Sequence, residues 1–169
     1  AIGTARLFGI ELFWNFALPY FSRDIAEFWR RWHISLSTWF RDYLYIPLGG
    51  SKGGTLMKVR NTFIIFLVSG FWHGANWTFV AWGGLHGSYL CVEKLIQESR
   101  KRRFVADAVE SPAYVTAKGI MAPRFLKKIT SSNFALALLT FFFINVTWVF
   151  FRAPDFASAG RLLASMFSN

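Results

Sequence analysis

The stretch NTFIIFLVSGFWHGANWTFVAWGGLHGSYL, residues 61–90, decides the fold class of this chain. It contains no charged residue and is apolar except for Ser, Thr, Asn, His and Gly. About 20 apolar residues suffice for one helical membrane span, so the stretch is long enough for one span and too short for two. The sequence WHGAN interrupts it in the middle. Two interpretations are open, namely one span that continues beyond the interruption, or two half-helices that meet within the membrane.

The composition of the whole chain favours a membrane protein. Hydrophobic residues make up 54% of the 169 residues and aromatic residues 20%, whereas soluble domains average roughly 45–50% apolar even when Gly is counted. The net charge is +10, and the basic residues cluster between the apolar blocks, as in loops that flank membrane segments. We therefore predict an all-α, multi-pass membrane protein with a single membrane domain over residues 1–169. The expected partner is the lipid bilayer and not nucleic acid.

A second helix is predicted from Asp24 to about Tyr45. Asp24 can cap its first turn, and Glu27 three residues later completes a capping box. Apolar residues follow with helical spacing and form one continuous face: Ile25, Trp29, Trp32, Leu36, Trp39 and Tyr43.

The remaining segments complete the expected architecture. Residues 99–132 are poorly hydrophobic and are interpreted as a connecting segment at the surface. The run from Phe134 to Phe151 predicts a transmembrane helix. Residues 155–167 have the pattern of an amphipathic interfacial helix.

Polar residues accompany two of the three histidines at helical spacing. Arg30, His33, Ser37 and Arg41 would form a stripe along the Asp24 helix. This stripe is either a solvated face or the lining of a passage in which His33 reacts.

In the apolar block, a helix would place Ser69, His73 and Asn76 on one face, with Trp72 beside them. Polar groups in a membrane segment are costly and usually face a cavity, although a neutral imidazole can also simply bond a neighbouring helix. His86, near the end of the block, is expected to have a role in packing or in anchoring at the membrane interface.

Several site classes are excluded. His73 and His86 are 13 positions apart, about 220° around an ideal helix, so one helix cannot present both to the same metal ion. No metal site is predicted. The sequence also lacks a phosphate-binding glycine motif and the G-x-S-x-G motif of serine hydrolases.

Two stretches carry a resemblance to a known family. EFWRRWHISLSTWFRDYLYIPLGG at residues 27–50 and SGFWHGANWTFVAWGGLHG at residues 69–87 resemble the membrane-bound O-acyltransferase family, in its bacterial branch of the alginate O-acetyltransferase type. The likeness covers residues 21–90 and extends more loosely over residues 147–167. It implies that His73 is the catalytic histidine. It also implies that His33 occupies a second active-site position, which other branches fill with Asn.

The resemblance further implies a setting and a reaction. Members of the family are longer and have more spans, so the chain would be the C-terminal part of a bacterial inner-membrane acyltransferase, without the preceding helices that complete its tunnel. Such an enzyme would move an acyl group, here acetyl, from a cytoplasmic thioester toward polysaccharide hydroxyls outside. Transfer would be direct or through a periplasmic partner protein. The donor would be acyl-CoA or an acyl carrier thioester, and no cofactor is implied.

The residues suit that chemistry. Imidazole, with an unperturbed pKa of about 6.5, can accept a hydroxyl proton at neutral pH, and the His33 ring or the Asn76 amide could stabilise the oxyanion. The expected tunnel-lining residues are Ser37, Ser69, Trp72 and Asn76, and the expected donor-side basic residues are Arg30, Arg41 and Lys52. Two rival interpretations are a non-enzymatic transporter or channel module with histidines along its pathway, and an interaction subunit whose histidines only bond neighbouring helices.

Overall fold

A computed structural model describes residues 2–110 and 132–168 of the chain, and within these residues it contains helices and no β-strand. The all-α prediction is therefore confirmed for this part. A 3-10 turn lies at Pro19–Phe21 and a π-helical turn at Arg41–Tyr45. The α-helices are α1 (Ile2–Leu7), α2 (Ile25–Arg31), α3 (Ile34–Phe40), α4 (Gly54–His73), α5 (Trp77–Glu110), α6 (Ser132–Arg152) and α7 (Phe156–Ser165).

The apolar block forms an antiparallel hairpin of α4 and α5. The chain turns at Gly74–Asn76, so the block consists of two helices that meet at WHGAN. Glycines allow the two backbones to touch, because a Cβ atom on Gly70 would overlap the Phe79 carbonyl and one on Gly83 would overlap the Phe66 carbonyl. Small residues at a helix–helix interface permit such a close approach of the two backbones.

Helix α6 packs antiparallel against α5. Thr147 of α6 contacts His86 of α5, and Phe143 lies against Tyr89 one turn further along. By length and composition, one helix of the described part is able to cross a membrane, over Phe134–Arg152, with a mean hydropathy of 2.2. The multi-pass architecture remains a prediction. Helix α2 lies across this pair, and the central buried side chains are Ile25, Phe28, Leu90 and Ile144.

The prediction of one continuous helix from Asp24 to Tyr45 is wrong, because the helix is broken after its first two turns. Helix α2 ends at Arg31, the backbone is extended at Trp32 and left-handed at His33, and α3 begins at Ile34. The single apolar face is therefore divided. Trp29 and Trp32 pack against the core, whereas Trp39, beyond the break, is largely exposed.

The first turn of α2 has the predicted cap with a different closure. The Asp24 carboxylate accepts a hydrogen bond from the Glu27 amide at 2.5 Å, as expected. The Glu27 side chain does not return to Asp24 but accepts from the backbone and guanidinium of Arg23 and from Arg31. Glu27 is also buried, and it forms ion pairs with Arg23 and Arg31.

The connecting segment 99–132 begins inside a helix. Helix α5 does not end with the apolar block but continues to Glu110, and α6 starts at Ser132. The rest of the segment lies outside the described residues. The predicted interfacial helix is α7, which is capped by the Asp155 side chain through the Ser158 amide at 2.7 Å.

Candidate active site

His33 lies at the break between α2 and α3, in the left-handed region with φ 46° and ψ 54°. Few residues other than Gly adopt this conformation, although His and Asn are among those that do so more often. A preceding segment holds the break open. The Asn15 carbonyl accepts from the Ile34 amide and its side chain from Ser35, while the Ala17 amide donates to the Arg31 carbonyl. The strained backbone is thus fixed by groups distant in sequence.

His73 is the last residue of α4, where the helix stops at Gly74. Its ring stands perpendicular to Trp82 of α5, with centroids 5.2 Å apart, and nearly perpendicular to Phe151 of α6, at 5.0 Å. It is half-buried and makes no hydrogen bond to any described residue. Both ring nitrogens are therefore free to act on a bound molecule.

His33 and His73 line one cavity of about 370 Å³, which we call the histidine cavity. Apart from the histidines, its described walls are aromatic and aliphatic, and none of the described lining residues is cationic or anionic. The other lining residues are Tyr20, Trp29, Trp32, Leu36, Trp82, Trp148 and Phe151.

A hydrogen-bonded network fixes one wall of this cavity. The Trp29 indole N–H donates to His86 Nδ1 at 3.2 Å, and His86 Nε2 lies 2.9 Å from the Thr147 hydroxyl. Because Nδ1 accepts, the neutral ring carries its proton on Nε2 and donates to Thr147. Thr147 in turn donates to the Ile144 carbonyl at 2.7 Å. His86 is fully buried and links α2, α5 and α6, in agreement with its expected packing role.

A second cavity of about 260 Å³, the basic cavity, lies on the other side of Trp29 and Leu36, which line both. Three cationic side chains are among its lining residues: Arg30, Arg41 and Lys94. The Lys94 ammonium donates to the Thr62 hydroxyl and lies 5.7 Å from the centroid of the Tyr45 ring. An apolar pocket with cations suits a ligand that has both an apolar and an anionic part.

The membrane-bound O-acyltransferase family model matches residues 1–120, which is most of the chain. The chain belongs to the membrane-bound O-acyltransferase family. It is 41% identical over 168 residues to the probable alginate O-acetylase AlgI of Azotobacter vinelandii, covering 99% of this chain and 28% of that protein. It is 42% identical over 166 residues to the peptidoglycan O-acetyltransferase of Helicobacter pylori, covering 98% and 27%.

A teichoic acid D-alanyltransferase of Streptococcus thermophilus is 35% identical over 163 residues, covering 88% of this chain and 37% of that protein. The chain therefore spans about a quarter to a third of the length of these curated relatives.

The structure brings together only some of the expected site residues. His33 and His73 share the histidine cavity. Four others line the basic cavity instead: Arg30, Ser37, Arg41 and Ser69. Lys52 lies exposed in the loop before α4 and lines neither cavity.

The expectation that Asn76 shares a helical face with Ser69 and His73 is wrong, because α4 ends before it. Its amide donates to the Pro154 carbonyl at 2.7 Å and accepts from the Thr78 amide at 3.1 Å. These contacts join the start of α5 to the end of α6 and leave the amide away from the histidine cavity. Trp72 is mostly exposed and lines a separate pocket with Leu36, Trp39 and Phe40.

Three residues that line the two cavities have no distinguishing sequence pattern. Trp82 and Trp148 lie in apolar stretches of helix, where an indole usually indicates packing, and Lys94 lies near the middle of α5. Only the folded hairpin brings them to the two cavities. No cluster of three His, Cys, Asp or Glu residues in the described ranges could hold a metal ion.

Proposed function

We propose that the protein is a bacterial membrane O-acyltransferase that transfers an acetyl group from a thioester to hydroxyl groups of a polysaccharide. The observation that carries the proposal is the common cavity of His33 and His73, in a chain of this family. An imidazole without a protein hydrogen-bond partner, beside an otherwise apolar cavity, is suited to proton transfer on a bound substrate.

His73 is the general base in this proposal. Its ring nitrogen accepts the proton of the acceptor hydroxyl while the hydroxyl oxygen attacks the thioester carbonyl carbon. A C–O bond forms, and the electron pair of the C=O bond moves to the oxygen. When the oxyanion collapses, the C–S bond breaks and the thiolate takes the proton from the imidazolium. The products are an ester and a free thiol, and His73 returns to its neutral form.

His33 is proposed to hold the oxygen that becomes negative. Its Nδ1 is buried and has no hydrogen-bond partner, and its left-handed backbone fixes the ring at the cavity. A donor fixed in advance stabilises a developing charge without reorganisation, and such groups contribute strongly in a water-excluded site.

The basic cavity supports a thioester donor such as acyl-CoA or an acyl carrier protein. Arg30, Arg41 and Lys94 would attract its phosphate groups, while the apolar walls shared with the histidine cavity would accept the acyl-bearing arm. A positive cavity one side chain away from the reacting histidine fits an anionic donor better than it fits a neutral one.

The relatives support the polysaccharide acceptor and the bacterial membrane setting. Alginate and peptidoglycan, named in two of them, are polymers of sugars with free hydroxyls. We propose that transfer proceeds across the inner membrane, directly to polymer or through a periplasmic partner protein. The transmembrane candidate α6 is consistent with this location.

The test is acetyl ester on exported polysaccharide, measured in cells that produce full-length variants at matched protein levels. We expect His73→Ala to lower transfer by about 10²–10⁴-fold, because a general base contributes that much. His33→Ala should also impair transfer. His33→Asn should retain a part of it, since Asn tolerates the left-handed backbone and its amide can donate to an oxyanion.

The matched control is Trp77→Phe. Trp77 lies in the same sequence motif as His73, but its side chain is 75% exposed and lines neither cavity. The variant should acetylate as the wild type does. Normal acetylation by His73→Ala would overturn the proposal. It would favour a histidine that only bonds a neighbouring helix or lines a transport pathway.

A further inference from the structure

The histidine cavity contains polar atoms that the mechanism above does not use. Among the described residues, three buried side-chain nitrogen or oxygen atoms have no hydrogen-bond partner, and all three belong to residues of this cavity. They are His33 Nδ1, which the mechanism above uses, and the indole Nε1 atoms of Trp82 and Trp148, which it does not use. Buried polar groups are paired in most proteins, so three unpaired ones at residues of one cavity are consistent with a ligand atom or an ordered water that binds there.

The chemistry of the two indoles defines what that atom must be. An indole N–H donates a hydrogen bond and cannot accept one. Trp82 is 1% exposed, so bulk water does not satisfy its donor. By contrast, Trp29, another of the four tryptophans that line this cavity, donates its N–H to His86. The unpaired indoles therefore require an acceptor that enters the cavity.

The lack of charged residues among the described lining residues of this cavity further restricts which acceptor group can bind. The cations Arg30, Arg41 and Lys94 line the basic cavity and not this one. Neutral donors in an apolar wall suit an uncharged oxygen, or one that becomes negative only during reaction, rather than a permanent phosphate or carboxylate. A carbonyl oxygen meets this requirement.

The position of the indoles places them next to the reacting group. The Trp82 ring stands at 90° to the His73 ring with centroids 5.2 Å apart. The Trp148 ring centroid lies 6.2 Å from that of Trp82, with 29° between the ring planes. A hydroxyl that gives its proton to His73 must attack a carbonyl carbon beside that ring. The carbonyl oxygen then lies in the region that both indoles border.

We infer that the indole N–H groups of Trp82 and Trp148 donate hydrogen bonds to the carbonyl oxygen of the transferred acyl group and stabilise its negative charge in the transition state. Both would thereby be catalytic residues. This inference rests on the proposed function and adds two donors to the single one offered by His33.

The experiment removes each N–H without changing the shape of the ring. Trp82 or Trp148 is replaced, in the full-length protein, by 3-benzothienylalanine, in which sulfur takes the place of the indole N–H. We expect kcat to fall by about 10²–10³-fold with KM for the acyl donor little changed, as for loss of an oxyanion donor. The same replacement at the exposed Trp77 is the control and should leave kcat unchanged.

A second readout is independent of turnover. A ketone analogue of acetyl-CoA, labelled with ¹³C at its carbonyl, is bound to the protein and its infrared stretch recorded. Hydrogen bonds from the indoles should lower the stretching frequency in the wild type, and each replacement should raise it. A frequency that is the same in all forms would mean that the indoles bind only ordered water, and would overturn the inference.

The outcomes separate the two proposals. A wild-type protein that transfers acetyl, with replaced proteins that keep kcat or change only KM, contradicts the role of the indoles and leaves the proposed function intact. A wild-type protein that transfers no acetyl contradicts both.

Discussion

At the scale of single residues, His86 shows how a group outside the reaction determines the shape of the site. Each of its ring nitrogens has a partner, and the Trp29 indole that it holds lines both cavities. A fully buried ring with both nitrogens bonded contributes through packing and through the satisfaction of its partners. Its removal leaves the Trp29 N–H unpaired and opens a void.

We therefore expect His86→Ala to lower the free energy of unfolding by about 2–5 kcal/mol, the sum of a void and an unsatisfied donor. The measurement is the thermal denaturation midpoint of the full-length protein in detergent. His73→Ala is the comparison, because it removes a half-buried ring without a described hydrogen bond and should change the midpoint much less. An unchanged midpoint for His86→Ala would contradict the network.

The sequence identifies His33 and His73 as candidate site residues but does not identify the two indoles. Spacing alone leaves the histidines between structural and catalytic roles, and the resemblance of their motifs favours catalysis. Nothing in an apolar helix distinguishes a tryptophan with an unpaired N–H from one that only packs, because the difference depends on which side chains surround it after folding.

At the scale of secondary-structure elements, the α4–α5 hairpin depends on glycines that permit backbone contact. A Cβ on Gly83 would overlap the Phe66 carbonyl, so α4 would have to move away. On Gly84, the next residue, a Cβ would meet only the Leu67 Cδ2 atom at 3.8 Å, an ordinary contact.

Gly83→Ala should destabilise the full-length protein by about 1–3 kcal/mol, the usual cost of overpacking. Gly84→Ala should leave the stability unchanged or raise it by up to about 1 kcal/mol, since Ala favours a helix over Gly. Denaturation midpoints of the two variants, measured side by side, provide the test. Equal effects at both positions would argue against the close contact of α4 and α5.

Local sequence patterns predict some of these elements but not the break between α2 and α3. The apolar block and the span at α6 follow from their composition, and the cap at Asp24 follows from its residue type. The break at His33 does not, because its hydrogen bonds come from Asn15 and Ala17, well before the helix. A helical periodicity that continues through residues 24–45 conceals a turn imposed by another segment.

At the scale of the whole molecule, apolar surface and positive charge coexist. Large apolar side chains of α6 are exposed, among them Phe134, Leu138 and Phe141, as expected for a helix in contact with lipid. The chain carries 19 basic and 9 acidic residues. Among the buried residues of the described part, Glu27 is the one with a charge.

Glu27 should make the stability sensitive to acid. The hydrogen bond from Arg23 lowers its pKa to about 2, against the opposing effect of burial. An unfolded Glu has a pKa of about 4.3, so the stabilisation from Glu27 is complete above that value and is lost as the pH falls through about 2. The difference in denaturation midpoint between wild type and Glu27→Gln should be constant from pH 7 to 5 and shrink from pH 4 to 2.

The exposed carboxylate Glu11 provides the control, since Glu11→Gln should give no comparable pH-dependent difference. If the wild-type advantage over Glu27→Gln persists unchanged down to pH 2, the ion pairs of Glu27 do not contribute to acid stability.

The left-handed backbone at position 33 has a consequence for the evolution of the site. Any residue accepted there must tolerate that conformation and, under the proposed function, also supply a polar side chain, and very few of the twenty amino acids do both. Gly adopts the conformation but has no side chain, and β-branched residues are strained. Asn tolerates it and carries an amide. The family resemblance implies His at this position in some branches and Asn in others. The backbone conformation then restricts substitution to such residues, and exchange of the imidazole for an amide preserves the helix break.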